Sequence, residues 1–507
     1  MCGIAAQQGA TDAQSGQRML ERLVHRGPDD EGEAALDGAW LGHRRLSIVD
    51  VDGGHQPLVG IGEDHFFVGN GEIYNHAALR ARLGDDRFRT SSDNEVALHV
   101  VEHDGPEGLA ELNGMFAFAM ASGPDDFLAA RDPVGIKPLY WAQHSGATVF
   151  ASEMAAFEEE LRPHIHVFPP GHYWTAETGL VQFAPAVPSA LRSTAPSDIA
   201  PEDVPADALM RTRWVLVDAV ERQMMGDVPV GVFLSGGLDS SIVAAIAARY
   251  LARHGELLKT FAVGLEGSPD VLAARHAAEF LETEHHERVY TAEEATASLP
   301  DVIGSIEAFD PSLVRSAVPN HMLAEMTAEH VKVVLTGEGA DELFAGYEYM
   351  AELDDPDELH DELVRSVEGL HNLNLQRCDR VTMAHGLEAR VPFLDREVIE
   401  YALRLPAAWK LSGGAAPEKQ ILRAAFDGWL PENLLWRDKS QFGDGSGAAE
   451  VLTDPFADSI SEEELEAERY AVEPPLRTRE ELAYFRIFQD KVGEVRPERT
   501  LGRFATA

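Results

Sequence analysis

Two rhythms of apolar and polar positions divide this chain of 507 residues. Up to about residue 180 the apolar residues come in short alternating runs, at 40–46, 65–68, 115–120, 127–130 and 149–151, punctuated by Gly, Asn and Asp. Alternation at period two predicts half-buried strands. Two stretches among them, 15–24 and 94–103, carry apolar residues at helical spacing. Strands mixed with a few helices predict an α+β layered domain over 1–184. Residues 185–207, PAVPSALRSTAPSDIAPEDVPAD, keep neither period and are rich in Pro, Ala and Ser, which predicts a linker.

From residue 208 onward apolar strand-like runs alternate with amphipathic helices. A helix over 209–225 leads into a strand at 230–234. A strand at 259–263, a helix over 270–281, a strand at 286–290 and a strand at 331–335 follow. Thr291 and Glu294 read as a capping box between the third strand and the next helix. Alternating βα units predict a doubly wound parallel α/β sheet. Beyond about residue 356 the pattern is largely helical, so this domain, 208–507, carries added helices. The acidic run 461–468 reads as a solvated helix. Ligands in such sheets lie beyond the carboxyl ends of the strands, so residues 235–240, Gly264 and residues 336–342 are expected in one crevice.

The turn after the first of these strands carries the strongest local signal. Ser235, Gly236 and Gly237 lead from the strand into a helix opened by Asp239, Ser240 and Ser241 and ending near Gly255. Exposed backbone N–H groups, the helix dipole and glycines that admit close approach make an anion site. Neither the Gly-Lys-Ser/Thr of a Walker loop nor a dinucleotide fingerprint is present. An ordinary strand-to-helix turn with an Asp/Ser cap gives the same pattern, so phosphate binding does not follow from it alone.

Charge changes the picture of the surface. There are 86 Asp and Glu against 42 Lys and Arg, a formal net charge of −44, and only seven of the cations are lysine. Such a surface repels nucleic acid and anionic membranes. Two readings compete, a functional acidic patch and adaptation to molar salt, where screening relieves self-repulsion; the spread of acid along the whole chain favours the second. No run of eighteen apolar residues occurs, and residues 1–16 lack a basic region followed by a long apolar one. Two cysteines, Cys2 and Cys378, make no disulfide framework and predict a reducing, cytoplasmic setting.

Several polar residues are placed for chemistry. Removal of Met1 would leave Cys2 with a free α-amine, of ordinary pKa about 8, as a built-in base for its thiol. Asn70 and Gly71 offer an amide and a backbone N–H for an oxyanion hole. Arg45 could grip a carboxylate in bidentate fashion, and Asp93 an α-ammonium, although Asp93 also sits where a helix cap is expected. Asp239 and Asp341 are two separated aspartates at strand ends that could share Mg²⁺ on a pyrophosphate. Glu338 could orient a reacting group beside them. Lys439 is one of few lysines, and a surface position explains it equally well.

Taken together the motifs resemble a known family. MCGI, HRGPD, RRLSIVD, GNGEIYN and SSDNE resemble the N-terminal-nucleophile (class II) glutamine amidotransferase domain, which implies an αββα sandwich. VGVFLSGGLDSS, TFAVGLEGSPD, LTGEGADELFAGY, GLEARVPFLD and DKSQFGDG resemble the ATP-pyrophosphatase synthetase domain. In this order they resemble the B-type glutamine-hydrolysing asparagine synthetases. The resemblance implies that Cys2 attacks glutamine, with Asn70 and Gly71 as oxyanion donors. It implies that Arg45, Leu46, Ser47, Ile48, Val49, Asn70, Gly71, Glu72 and Asp93 hold glutamine. Ammonia would pass through a channel to a β-aspartyl-AMP made from aspartate and ATP. Phe233, Ser235, Gly236, Gly237, Asp239, Ser240, Val263, Thr336, Gly337 and Lys439 would bind ATP or pyrophosphate, and Asp239 and Asp341 Mg²⁺. Glu338 would act around the intermediate, and Arg315 would lie on the acceptor side. A homodimer is compatible with the family.

Four positions depart from the family pattern. Phe233 and Thr336 stand where the family has Leu and Ser, and Ser312-Leu313 stands where it has Thr-Thr before Arg315. The last leaves two alternatives: a related amidotransferase acting on another carboxylate, or a degenerate protein that only binds nucleotide. Intact Cys2 argues against the ring-closing β-lactam branch, which needs no ammonia. Cys2, Asp239, Glu338 and Asp341 together argue against degeneracy.

Overall fold

The structure is a computed structural model that describes residues 2–193, 203–353, 355–411, 418–437, 446, 452 and 459–504. The amino-terminal part contains two six-stranded sheets. Across its width the first runs Ile165–Val167, Tyr140–His144, Ala147–Ala151, Gly3–Gly9, Ala39–Arg45 and Asp30–Leu36. The second runs Gly179–Gln182, His172–Thr175, Phe127–Arg131, Gly114–Ala121, Phe66–Ile73 and Leu58–Val59. Every neighbouring pair is antiparallel.

Period-two alternation builds the layers. Ile4 and Ala6 pack between the sheets with Leu41, Val68, Ala117, Phe127 and Phe150. Ala5, between them in sequence, packs on the opposite side with Met19, Leu20 and Trp40, under the helix Ala13–Glu21. On the second sheet Phe67, Phe116 and Phe118 pack with Leu79, Val96 and Val100 of the helices His76–Leu83 and Glu95–Asp104. The result is the αββα layering. The strand expected at 65–68 continues to Ile73, so Asn70, Gly71 and Glu72 lie inside a strand and not beyond its end. Apolar alternation is interrupted over residues 69–72 because Asn70 and Glu72 face the Cys2 side, and Ile73 returns to the core.

The carboxy-terminal part is built on five parallel strands in the order Glu284–Tyr290, Lys259–Leu265, Val230–Phe233, Val333–Leu335 and Glu388–Arg390. The chain winds outward from Val230–Phe233 to one edge, then returns to its other side with Val333–Leu335. The direction therefore reverses between those two strands, which opens a crevice at their carboxyl ends. Helix Leu238–His254 buries Ile242, Val243 and Ile246 and stops at Gly255, whose φ of +77° suits glycine. The capping box at Thr291 and Glu294 is present, and Ser461 with Glu464 forms another on the acidic helix Glu462–Glu468.

The fifth strand lies within the largely helical stretch beyond residue 356. Glu388 and Arg390 flank Ala389, so there is no apolar run to announce it. Both charged side chains are wholly buried and are tolerated because they pair with each other. Part of the expected linker, residues 194–202, lies outside the described residues.

Candidate active sites

Cys2 leads the strand Gly3–Gly9 and is buried. Its backbone N–H donates to Asn70 Oδ1 at 2.9 Å. The other half of that amide, Nδ2, is buried without a partner among the described residues. A preorganised donor beside the thiol is what an oxyanion needs. Gly71 has φ +148°, and a Cβ there would lie 1.9 Å from the Met115 carbonyl oxygen, so no other residue fits. Burial pushes the Cys2 thiol above its ordinary range, while the Leu46 N–H and Arg45 favour the thiolate.

The segment 45–51 forms a loop over this site. Arg45 spends its guanidinium on the loop: Nη1 donates to Val51 O at 3.1 Å, and Nη2 to Val49 O and Asp50 O at 3.2 and 2.6 Å. Arg45 therefore shapes the loop in this structure. The other half of the protein holds the loop's outer side. Asp227 N–H donates to Ile48 O at 2.9 Å, and Asp50 N–H to Asp227 Oδ2 at 2.7 Å. Ser47 N–H donates to Asp29 Oδ2, which also takes Lys332 Nζ, each at 2.7 Å.

Glu72 and Asp93 give the site a surplus of negative charge. Glu72 is buried, 3.5 Å from Arg390 Nη2, and its Oε2 has no partner among the described residues. Burial raises its carboxyl pKa well above normal, reinforced by Asp93 and Glu388. Asp93 is not a helix cap. Its Oδ2 accepts the Ile73 N–H at 2.6 Å, and burial raises its pKa too. Two buried carboxyls with raised pKa values near the Cys2 thiol suit an incoming cation.

The second site lies in the crevice. Its loop is tied by Ser235 and Ser240: Oγ to Oγ is 3.0 Å, and the Ser235 N–H donates to Ser240 Oγ at 3.2 Å. Gly236 has φ +71° and presses on the neighbouring helix, where a Cβ would meet Ala273 at 2.5 Å. Gly337 lets the two strand-end loops touch, since a Cβ would lie 2.9 Å from Asp239 Cβ. A cavity of about 900 Å³ opens here, lined by Phe233, Ser235, Gly237, Asp239 and Ser240. Val263, Thr336, Gly337, Glu338 and Asp341 line it from the adjacent strands, and Arg315 from the helix Pro311–Ala328. Gly264 does not line it and packs instead on Ser268. Lys439 lies outside the described residues.

Sequence reasoning missed three cations here. Lys419 Nζ contacts the carboxylates of both Asp239 and Asp341, the latter at 2.5 Å. Burial alone would lower the pKa of this amine, but the two aspartates outweigh it and hold it charged. Arg377, on the helix Asn374–Met383, donates through Nη2 to both oxygens of Glu338, at 2.7 and 2.5 Å. Arg437 donates to Gly236 O at 3.3 Å and pairs with Asp270 at 2.9 Å. Lys419 was the findable one, being one of seven lysines.

The asparagine synthase family model matches residues 211–355 and 351–483, and the glutamine amidotransferase domain model residues 1–182. Asparagine synthetase B [glutamine-hydrolyzing] of Escherichia coli K12 is 42% identical over 471 residues, covering 89% of this chain and 83% of that one. Asparagine synthetase [glutamine-hydrolyzing] 3 of Arabidopsis thaliana is 39% identical, with 88% and 79% covered. A probable asparagine synthetase [glutamine-hydrolyzing] of Schizosaccharomyces pombe is 38% identical over 97% of this chain and 93% of its own. The chain belongs to the glutamine-hydrolysing asparagine synthetase family.

In this family member a buried charge network on the Cys2 side meets the helix Asn374–Met383, which also carries Arg377 of the second site. Arg26 donates through Nε to Cys2 O at 3.1 Å, and through Nη1 to Glu153 and Asp379 at 2.8 and 2.9 Å. Arg380 reaches Glu153 and Glu307 at 2.8 and 3.0 Å. Asp379 and Arg377 stand two residues apart on one helix, roughly 200° around it, so they face opposite ways. One faces the Cys2 side and the other faces Glu338. Both departing positions of the acceptor loop are also placed. Ser312 lines the cavity, whereas Leu313 is wholly buried in the core. Among the described residues no helix is long and apolar enough to cross a membrane.

Proposed function

We propose that this protein makes asparagine from aspartate, glutamine and ATP. The observation that carries the reading is the presence, in one chain, of a buried Cys2–Asn70 pair and a phosphate loop flanked by Asp239 and Asp341. With Met1 removed, the Cys2 amine takes the thiol proton and the thiolate attacks the glutamine carboxamide. Asn70 Nδ2 and the Gly71 backbone hold the oxyanion, and Glu72 and Asp93 the α-ammonium. Ammonia leaves, and water releases glutamate from the thioester.

At the second site an oxygen of the aspartate β-carboxylate attacks the α-phosphorus of ATP, and pyrophosphate departs. Ammonia then attacks the acyl carbon, loses a proton, and AMP leaves with the oxygen. Ser235, Gly236, Gly237 and Ser240 cradle the phosphates at a helix N-terminus, with Phe233, Val263, Thr336 and Gly337 around the nucleotide. Asp239 and Asp341 fit Mg²⁺, because their carboxylates already converge on one cationic nitrogen and are hard oxygen donors. Bound there, Mg²⁺ would neutralise pyrophosphate charge. Lys419 would then turn from the aspartates to the phosphates. Glu338, held by Arg377, orients the acyl-adenylate.

The two cysteines are both free and buried, which supports a cytoplasmic setting, and the acidic composition supports a salt-adapted surface. The test is pyrophosphate release in molar KCl with ATP, Mg²⁺ and glutamine. Release that depends on aspartate, with asparagine and AMP formed in step, is the expected result. Glutaminase activity without any aspartate response would reject aspartate as acceptor.

A further inference from the structure

The acceptor side of the cavity is backed by a residue that no motif points to. Arg315 lines the cavity with Ser312 and Ser316. Its Nε donates to Glu480 Oε1 at 3.0 Å, and its Nη2 to Glu480 Oε2. Glu480 does not line the cavity and is only 7% exposed. A third donor, the buried Tyr484 hydroxyl, reaches Oε1 at 2.9 Å. Glu480 also sits in the first turn of the helix Arg479–Val492, where the helix dipole favours a carboxylate.

A second set of contacts fixes this helix against the one that carries Arg315. Asp310 caps the helix Pro311–Ala328. Its Oδ2 takes Arg477 Nη2 at 2.9 Å and the Phe504 N–H at 3.1 Å. Arg477 and Arg503 both pair with Glu481, beside Glu480. The segment 477–504 is therefore bolted to the first turn below Arg315.

A buried carboxylate with three donors is a fixed counter-ion. A substrate carboxylate would have to break charge-assisted hydrogen bonds to replace it. Two of the three guanidinium nitrogens of Arg315 are committed to Glu480. The third, Nη1, has no hydrogen-bond partner among the described residues. We infer that Glu480, locked by Tyr484, is a positioning residue that orients Arg315 so that Nη1 is available to a carboxylate-bearing acceptor. This rests on the proposed function.

The test uses the full-length enzyme, with aspartate and ATP varied separately. Glu480→Gln removes the charge and half of the bidentate acceptance. It raises the aspartate KM about tenfold, as the loss of a charge-assisted hydrogen bond implies. The ATP KM and the glutaminase rate stay within about twofold, because neither depends on Arg315. Tyr484→Phe leaves the pair intact but unlocked and raises the aspartate KM by a few-fold. A purely structural role would move the ATP KM and the glutaminase rate alongside the aspartate KM in both variants, and would overturn the inference. Unchanged aspartate KM in both variants would also overturn it. A wild-type enzyme with no aspartate response overturns the proposed function first, and this inference with it.

Discussion

Arg26 and Asp379 meet through two hydrogen bonds, of 2.9 and 3.3 Å, across the boundary between the amidotransferase and synthetase halves. Neither side chain is more than 4% exposed. Arg26 also holds the Cys2 carbonyl and Glu153, so removing Asp379 loosens the Cys2 segment and leaves the buried Lys137, 3.7 Å from Asp379 Oδ1, without its carboxylate. Asp379→Ala is expected to cost about 3–5 kcal/mol of stability. It should also lower glutaminase kcat/KM, although residue 379 lies in the synthetase half. Denaturant unfolding and glutamate release on the same preparation check both.

Asn70→Ala removes the buried Nδ2 beside Cys2. Loss of this proposed oxyanion donor should lower glutamine-dependent synthesis roughly a hundred- to a thousandfold. Synthesis with added ammonium should be spared, because the second site does not include Asn70. Assay with glutamine and then with ammonium separates the two.

Lys419 bridges Asp239 and Asp341, so Lys419→Met leaves two carboxylates facing each other. Pyrophosphate release should fall at least about a hundredfold, the scale of a lost electrostatic contact in a closed site. Glutaminase activity should hold. A loss of both activities would instead mean a folding defect.

Glu342 sets a pH dependence. Burial and the neighbouring Asp341 raise its carboxyl from the ordinary 4.5 to about 7, against a hydrogen bond from Tyr347. The folded state thus holds a proton that the unfolded state has released. Its contribution to stability is full below about 4.5 and is lost as pH rises through about 7. Glu342→Gln keeps the shape without the titration. The stability of wild type relative to Glu342→Gln should therefore drop between pH 5 and pH 8, as read from thermal midpoints in molar KCl.

Much of this was legible in the sequence, and the reasons are physical. The strand, loop and helix around Ser235–Ser240 were readable because buried parallel strands are continuously apolar and phosphate loops need glycine. Cys2, Asn70 and Glu72 were readable because their motifs are local. Arg377 was not, and Lys419 was marked only by the rarity of lysine, since each gains its role by folding against Asp239, Asp341 or Glu338, far away in sequence. Glu388–Arg390 escaped because a buried ion pair replaced the apolar pattern. The placement of Glu480 behind Arg315 likewise depends on tertiary packing, 165 residues apart.

A net charge of −44 predicts that stability rises with salt, as screening weakens self-repulsion. The thermal midpoint should climb steadily from dilute buffer to molar KCl. Full stability in dilute buffer would contradict salt adaptation.

In the proposed reaction one chain takes nitrogen from glutamine at Cys2 and delivers it to an acyl-adenylate at the second site. Glutamine labelled at its amide nitrogen, supplied with aspartate, ATP and Mg²⁺, tests it most directly by mass spectrometry of the products. Label is expected in the side-chain amide of asparagine, with one AMP and one pyrophosphate for each asparagine. Labelled ammonia released to solution, with glutamate formed and no labelled asparagine, would contradict it.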